Sequence, residues 1–87
     1  MKKQTYAQIK ALLTRKGISF KDGEEFSESQ KGAIWSWAEG EHSDFFNYYS
    51  TSATFEIGVK KTLVEQLAKR GWFAEWYDCG TIFIYEM

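Results

Sequence analysis

The chain of 87 residues has no proline, one cysteine and one histidine. Each scarcity excludes something. One thiol, Cys79, cannot close an internal disulfide, and Cys79 with His42 cannot supply the four ligands of a structural zinc site. The longest uninterrupted apolar run is Ile-Phe-Ile-Tyr at 82–85, far below the ~20 residues of a membrane-spanning helix. The opening Met-Lys-Lys-Gln-Thr leads into a helical pattern rather than an apolar leader, so export is not expected. A lone thiol without a leader fits a reducing, cytoplasmic setting. Without proline, breaks in the chain must be read from its seven glycines. The length suits a single domain over residues 1–87.

Aromatic residues, by contrast, make up 18% of the chain: seven Phe, five Tyr and four Trp. The net charge of −1 conceals blocks. Residues 1–21 carry Lys2, Lys3, Lys10, Arg15, Lys16 and Lys21 and no acid, whereas residues 22–56 carry eight acids against Lys31. Residues 57–70 are basic again and residues 71–87 acidic. Such blocks either face one another across the fold or meet a charged partner.

The periodicity predicts the elements. Thr5 and Gln8 form a capping box ahead of a helix over 6–16, with Tyr6, Ile9, Leu12 and Leu13 on one face and Gly17 as its stop. A short strand at 18–20 and a turn at Lys21-Asp22-Gly23 follow. Ser27 and Gln30 repeat the capping spacing, which predicts a helix over 28–39 ended by Gly40. Its difficulty is that Trp35 and Trp37 then point about 160° apart, whereas in a strand they share a face. The alternation over 49–57 predicts a half-buried strand that Gly58 breaks. From Val59 the period is helical again to Gly71.

Residues 72–77 and 81–85 flank Asp78-Cys79-Gly80 and predict a hairpin with a three-residue loop and Gly80 in the left-handed region. That register sets Tyr77 opposite Thr81 and Trp76 opposite Ile82. One face collects Trp72, Ala74, Trp76, Ile82 and Ile84; the other collects Phe73, Glu75, Tyr77, Phe83 and Tyr85. Trp76→Ala would then cost ~3–5 kcal/mol as a large-to-small core change. The fold class is α+β: a small, mainly antiparallel sheet ending in a C-terminal β-hairpin, with two or three helices packed on it.

Chemistry is thinly represented. Glu41-His42-Ser43-Asp44 adjoin in a loop, but a nucleophile, base and orienter must converge in space, not merely follow one another. Glu39, Glu41, His42 and Asp44 lack the shaped oxygen cage of a hard cation. Cys79 has Asp78 beside it, where a reactive thiolate needs cations. There is no phosphate-binding glycine motif. No catalytic residue, cofactor or metal is therefore expected, and the chain does not read as an enzyme.

Two binding classes remain. A core this small should not take all sixteen rings, and interfaces are rich in Trp, Tyr and Phe. Rings expected outside are Trp35, Phe45, Phe46, Tyr48 and the outer hairpin face. The first reading is a non-enzymatic protein-binding module, an inhibitor or adaptor of the kind phages encode or a homodimer. Its site is Trp35, Phe73, Tyr77, Phe83 and Tyr85. On this reading Tyr77→Ser or Phe83→Ser weakens association by ~1–3 kcal/mol and barely affects the fold. The second reading is a nucleic-acid-binding module that uses the basic segment 1–21 and an aromatic sheet face; the acidity of the hairpin weighs against it. No membrane partner is expected. Both readings predict that His42→Ala and Cys79→Ser leave binding of any captured partner unchanged, which direct titration of the two variants measures.

Overall fold

The computed structural model describes residues 4–37, 45–50 and 52–87. The first helix, α1 (Tyr6–Arg15), starts where its capping box stands: Gln8 N–H donates to Thr5 Oγ1 at 3.3 Å and Thr5 N–H donates to Gln8 Oε1 at 2.8 Å. Gly17, at φ 76°, lets the chain leave it. Residues 18–20 are irregular, and the short strand β1 follows at Lys21–Asp22, one step beyond the expected one. A four-residue helix α2 (Gly23–Phe26) and a single 3₁₀ turn (Glu28–Gln30) lead into β2 (Ile34–Trp37).

The helix expected over 28–39 is therefore absent as far as Trp37, and residues 38–44 lie outside the described residues. Gly32 at φ 91° interrupts any helical path. Beyond it Ile-Trp-Ser-Trp buries one side chain and half-buries the next in turn. The alternative in which both Trp share a sheet face is the one realised. Ser27 still caps, but only the 3₁₀ turn, accepting from Ser29 N–H.

The strand expected over 49–57 shrinks to β3 (Phe55–Glu56), paired with β4 (Val59–Lys60). Hydroxyl and amide side chains claim the backbone first: Tyr49 N–H donates to Asn47 Oδ1, Ser52 N–H to Ser50 Oγ and Thr54 N–H to Ser52 Oγ, at 3.2 Å each. Such local bonds compete with a ladder. Phe46 bridges Val59 across this small sheet and is fully buried, not exposed as expected; Phe45 is half-buried. The third helix, α3 (Lys61–Lys69), starts two residues after Val59.

The hairpin pairs β5 (Trp72–Asp78) with β6 (Thr81–Glu86). From Phe73↔Tyr85 to Trp76↔Ile82 the register is the expected one. At the tip it differs: Asp78, not Tyr77, faces Thr81, so Tyr77 is the extra residue of a bulge and the loop is two residues long. Asp78 Oδ1 accepts from Gly80 N–H at 2.9 Å and closes the turn without a left-handed glycine. The side chain of Asp78 supplies what Gly80 was expected to supply.

The main sheet has the order β1-β2-β6-β5, antiparallel throughout. Its inner face carries Ile34, Ile82, Ile84 and Trp72. They pack with Ile9, Leu12 and Leu13 of α1 and Leu63 and Leu67 of α3. Ser36 is also buried on this face and donates to Ser19 O at 2.8 Å, which satisfies it and ties residues 18–20 to the sheet. Trp76 packs on the core but is half-buried, with its indole N–H donating to Ile57 O at 2.8 Å, so the cost expected for its truncation moves to the low end. At the sheet's other end Tyr6 OH lies 2.7 Å from Asp22 Oδ1 and 3.0 Å from Ala33 O, and Lys10 Nζ pairs with Asp22 at 3.2 Å. Burial, then the Asp22 bond, pushes the Tyr6 pKa well above the usual phenol range. The Tyr6 and Lys10 bonds hold Asp22 below the usual carboxylate value.

The position of α2 depends on Gly23. Its N–H donates to Ala33 O at 2.8 Å, and a Cβ there would collide with the carbonyl oxygens of Gln30 and Ala33. Gly23→Ala is expected to destabilise the fold by ~1–3 kcal/mol as an overpacked site. Urea denaturation followed by tryptophan fluorescence measures this.

Candidate functional site

Alternation along three strands assembles the outer face of the sheet. β2 and β6 pair Trp35 with Phe83, and β6 and β5 pair Phe83 with Glu75 and Tyr85 with Phe73. Side chains directly opposite share a face, so Trp35, Phe73, Tyr77, Phe83 and Tyr85 come together on the side that neither α1 nor α3 covers. All five residues expected in the site lie there.

Two rings that sequence reasoning did not assign to the site complete it. Phe26, at the end of α2, sets its ring 5.2 Å from that of Trp35, 5.1 Å from Tyr77 and 5.1 Å from Phe83, edge-on to each. Trp37 lies 6.2 Å from Trp35. From Phe83 the chain of contacts runs through Tyr85 to Phe73 at 6.0 and 5.5 Å. The signal for Trp37 was its two-residue spacing from Trp35. Phe26 carried no such signal, because its place depends on the fold of a four-residue helix.

The rings are unequal. Phe83 is 1% exposed, although it lies outside the main core cluster. It is the floor of the face, desolvated by Phe26 of the short helix α2, by Tyr77 and by Trp35 rather than by α1 or α3. The expectation that Phe83 is accessible is therefore corrected. Trp35 and Tyr85 are half-buried. Tyr77 at 59%, with Phe73 and Phe26 at 36% each, are what the face presents. Edge-on pairs such as these contribute ~0.5–1.5 kcal/mol each beyond area burial, so the presented rings are braced from beneath. Lys21 Nζ stands 5.6 Å over Trp35 at one margin. Tyr85 OH donates to Gln30 Oε1 at 2.9 Å; burial raises its pKa, and the charge of Glu75 adds to the rise.

Beside β5, on the α3 side, runs a groove of about 420 Å³ lined by Tyr48, Ile57, Val64, Ala68, Phe73 and Trp76, with Glu56 and Glu75 as the charged side chains among the described residues that line it. Ile57 is 86% exposed and sits at φ 47°. A β-branched residue in the left-handed region is strained by ~1–3 kcal/mol. It makes the β3–β4 turn with Gly58 (φ 75°), whose missing Cβ leaves room for Asn47 O and Trp76 Nε1, each 3.0 Å from where that atom would be.

Other features offer less. A second hollow of about 450 Å³ has Asp22, Glu24, Glu25 and Glu86 around Tyr6 and Trp72. Among the described residues no three His, Cys, Asp or Glu are placed to hold a metal ion. Glu39, Glu41, His42 and Asp44 lie outside the described residues. Cys79 is exposed at the hairpin tip next to Tyr49, whose hydroxyl pKa it raises by hydrogen bonding and charge. Among the described helices none is long and apolar enough to cross a membrane. The basic residues of α1 and the aromatic face are on opposite sides of the sheet; of those in 4–21, only Lys21 reaches the rings. No protein-family model, curated protein sequence or solved structure matches the chain.

The inequality of the rings separates stability from presentation. Phe83→Ala is expected to cost ~3–5 kcal/mol, as for a buried ring. Tyr77→Ser, which loses two edge contacts of an exposed ring, is expected to cost ~1 kcal/mol. Guanidinium denaturation of the two variants gives the ratio.

Proposed function

We propose that this chain is a non-enzymatic protein-binding module, an inhibitor or adaptor of the phage type, that engages its partner through the aromatic sheet face. The observation that carries this reading is that exposed Tyr77 stands edge-on against buried Phe83 and against Phe26, with exposed Phe73 beside it against half-buried Tyr85. Ordered aromatic side chains lose little entropy on binding, and hot spots concentrate on such anchors. The lone, exposed Cys79 suits a reducing cytoplasmic setting. A second copy of the chain is an allowed partner.

The nucleic-acid reading has less support. Phosphate binding needs cations beside the stacking platform. Here the platform carries Glu75 within it and Lys21 at its margin.

The test is capture from native extract on the immobilised wild type and on Tyr77→Ser, each with and without nuclease. A protein partner is expected to be retained by the wild type regardless of nuclease, to be weakened by ~1–3 kcal/mol in Tyr77→Ser, and to respond little to salt. Retention that nuclease abolishes, or that falls log-linearly with salt, would favour the nucleic-acid reading instead.

A further inference from the structure

We propose that β5 is a docking edge for an added β-strand, and that the strand it takes is a basic, extended segment of the partner protein that places a Lys or Arg against Glu75. This rests on the protein-binding reading and specifies the partner's form. β5 is the outer strand of the sheet and has seven residues, against two for the opposite edge, β1. Among the described residues no backbone–backbone hydrogen bond joins residues 72–78 to a group outside the hairpin; the bonds to groups outside it come from the indole side chains, Trp72 donating to Gln4 O and Trp76 to Ile57 O. A strand edge of this length offers alternate N–H and C=O groups to any extended chain. Proteins commonly blunt such edges with lysine, proline or very short strands; β5 has none of these, only the bulge at its far end.

Recognition has a side for each half of an alternating strand. Residues of one parity would lie along Phe73, Glu75 and Tyr77 on the aromatic face. Residues of the other would lie in the groove, against Val64, Ala68 and Ile57. The strained turn at Ile57 holds an apolar side chain out in solvent at this rim, and the Trp76 indole fixes its carbonyl. Strain that leaves an apolar group exposed points to use at that place.

Charge selects the occupant. Glu56 and Glu75 line the groove, no Lys or Arg does, and neither acid makes an ion pair among the described residues. A second β5 is a poor occupant. The strand contains Glu75 and Asp78 and no cation, so antiparallel registers centred near Glu75 oppose or adjoin like charges. A strand with Lys or Arg at that position gains the ion pair, and its stem can cover the Tyr77 or Phe73 ring.

The experiment is selection of random twelve-residue peptides displayed on phage against the immobilised wild-type chain, followed by synthesis and titration of the enriched sequences. The expected result is a basic residue flanked at two-residue spacing by apolar ones. Glu75→Lys should weaken such a peptide at least tenfold, and exchanging the peptide's cation for Glu should restore binding to that variant. N-methylation of one alternate set of peptide amides should abolish binding, while methylation of the other set should not. Enriched peptides that bind through Tyr77 but lack the basic position, or that tolerate both methylated sets, would overturn the strand proposal and leave the aromatic-face reading standing. No enrichment, or enrichment indifferent to both Tyr77→Ser and Glu75→Lys, would overturn both.

Discussion

The pairing of β2 with β6 is the contact on which the rest of the molecule depends. It sets Ile34 against Ile84 and Trp35 against Phe83, and so fixes which side chains of the central strands turn toward the helices. A slip of one residue would turn Trp35 and Trp37 into the core and Ile34 and Ser36 out of it. Ser36 guards against that slip, since its hydroxyl is satisfied by Ser19 O on the inner side. Once the register is set, α1 and α3 close the inner face. The outer face is left to its own rings.

That division gives the chain two apolar layers of different kinds. The inner one is mainly aliphatic, with Ile, Leu and Val from the helices and the sheet packed around Trp72 and Phe46. The outer one is aromatic, with Phe83 beneath the more exposed rings, and relies on the small helix α2 to deliver Phe26. The excess of rings over what a small core should hold is thus partly resolved within the molecule. The segregated charges meet sparingly: Lys10 with Asp22 at 3.2 Å and Lys31 with Glu24 at 4.0 Å are the ion pairs among the described residues, both solvent-accessible. Exposed pairs of this kind contribute ~0–1 kcal/mol. The acids of the β5 groove, Glu56 and Glu75, make no ion pair among the described residues.

Elements whose signal is local were legible. The α1 capping box, the stripe of α3 and the register from Phe73 to Trp76 follow from spacing alone, and that register set Phe73, Phe83 and Tyr85 on one face of the sheet. Elements decided by competition were not. At 28–37 the capping pair Ser27 and Gln30 argued for a helix, but Gly32 and the Ile-Trp-Ser-Trp alternation prevailed. At 49–56 alternation argued for a strand, but Asn47, Ser50 and Ser52 turned the backbone onto their own side chains. The hairpin tip failed by one residue, because Asp78 closes the loop from its side chain. Phe83 was assigned to the correct face but not to the correct depth, because its cover, Phe26, is 57 residues away in sequence.

That separation bears on how the chain reaches its final state. The β5–β6 hairpin and α3 are built from neighbours in sequence, whereas β2 must return from more than forty residues upstream to pair with β6. Closing the larger loop carries the greater entropic cost. The topology therefore implies an order of assembly in which the hairpin docks on α3 first and β2, with α2 behind it, adds last. Before that step Phe83 and both sides of the hairpin stand open to water. Pulsed hydrogen exchange reads the order directly, through earlier protection of the amides of β5 than of Ile34–Trp37. The aromatic face and the β5 edge are thus the surfaces most exposed to misassociation while the molecule is being made.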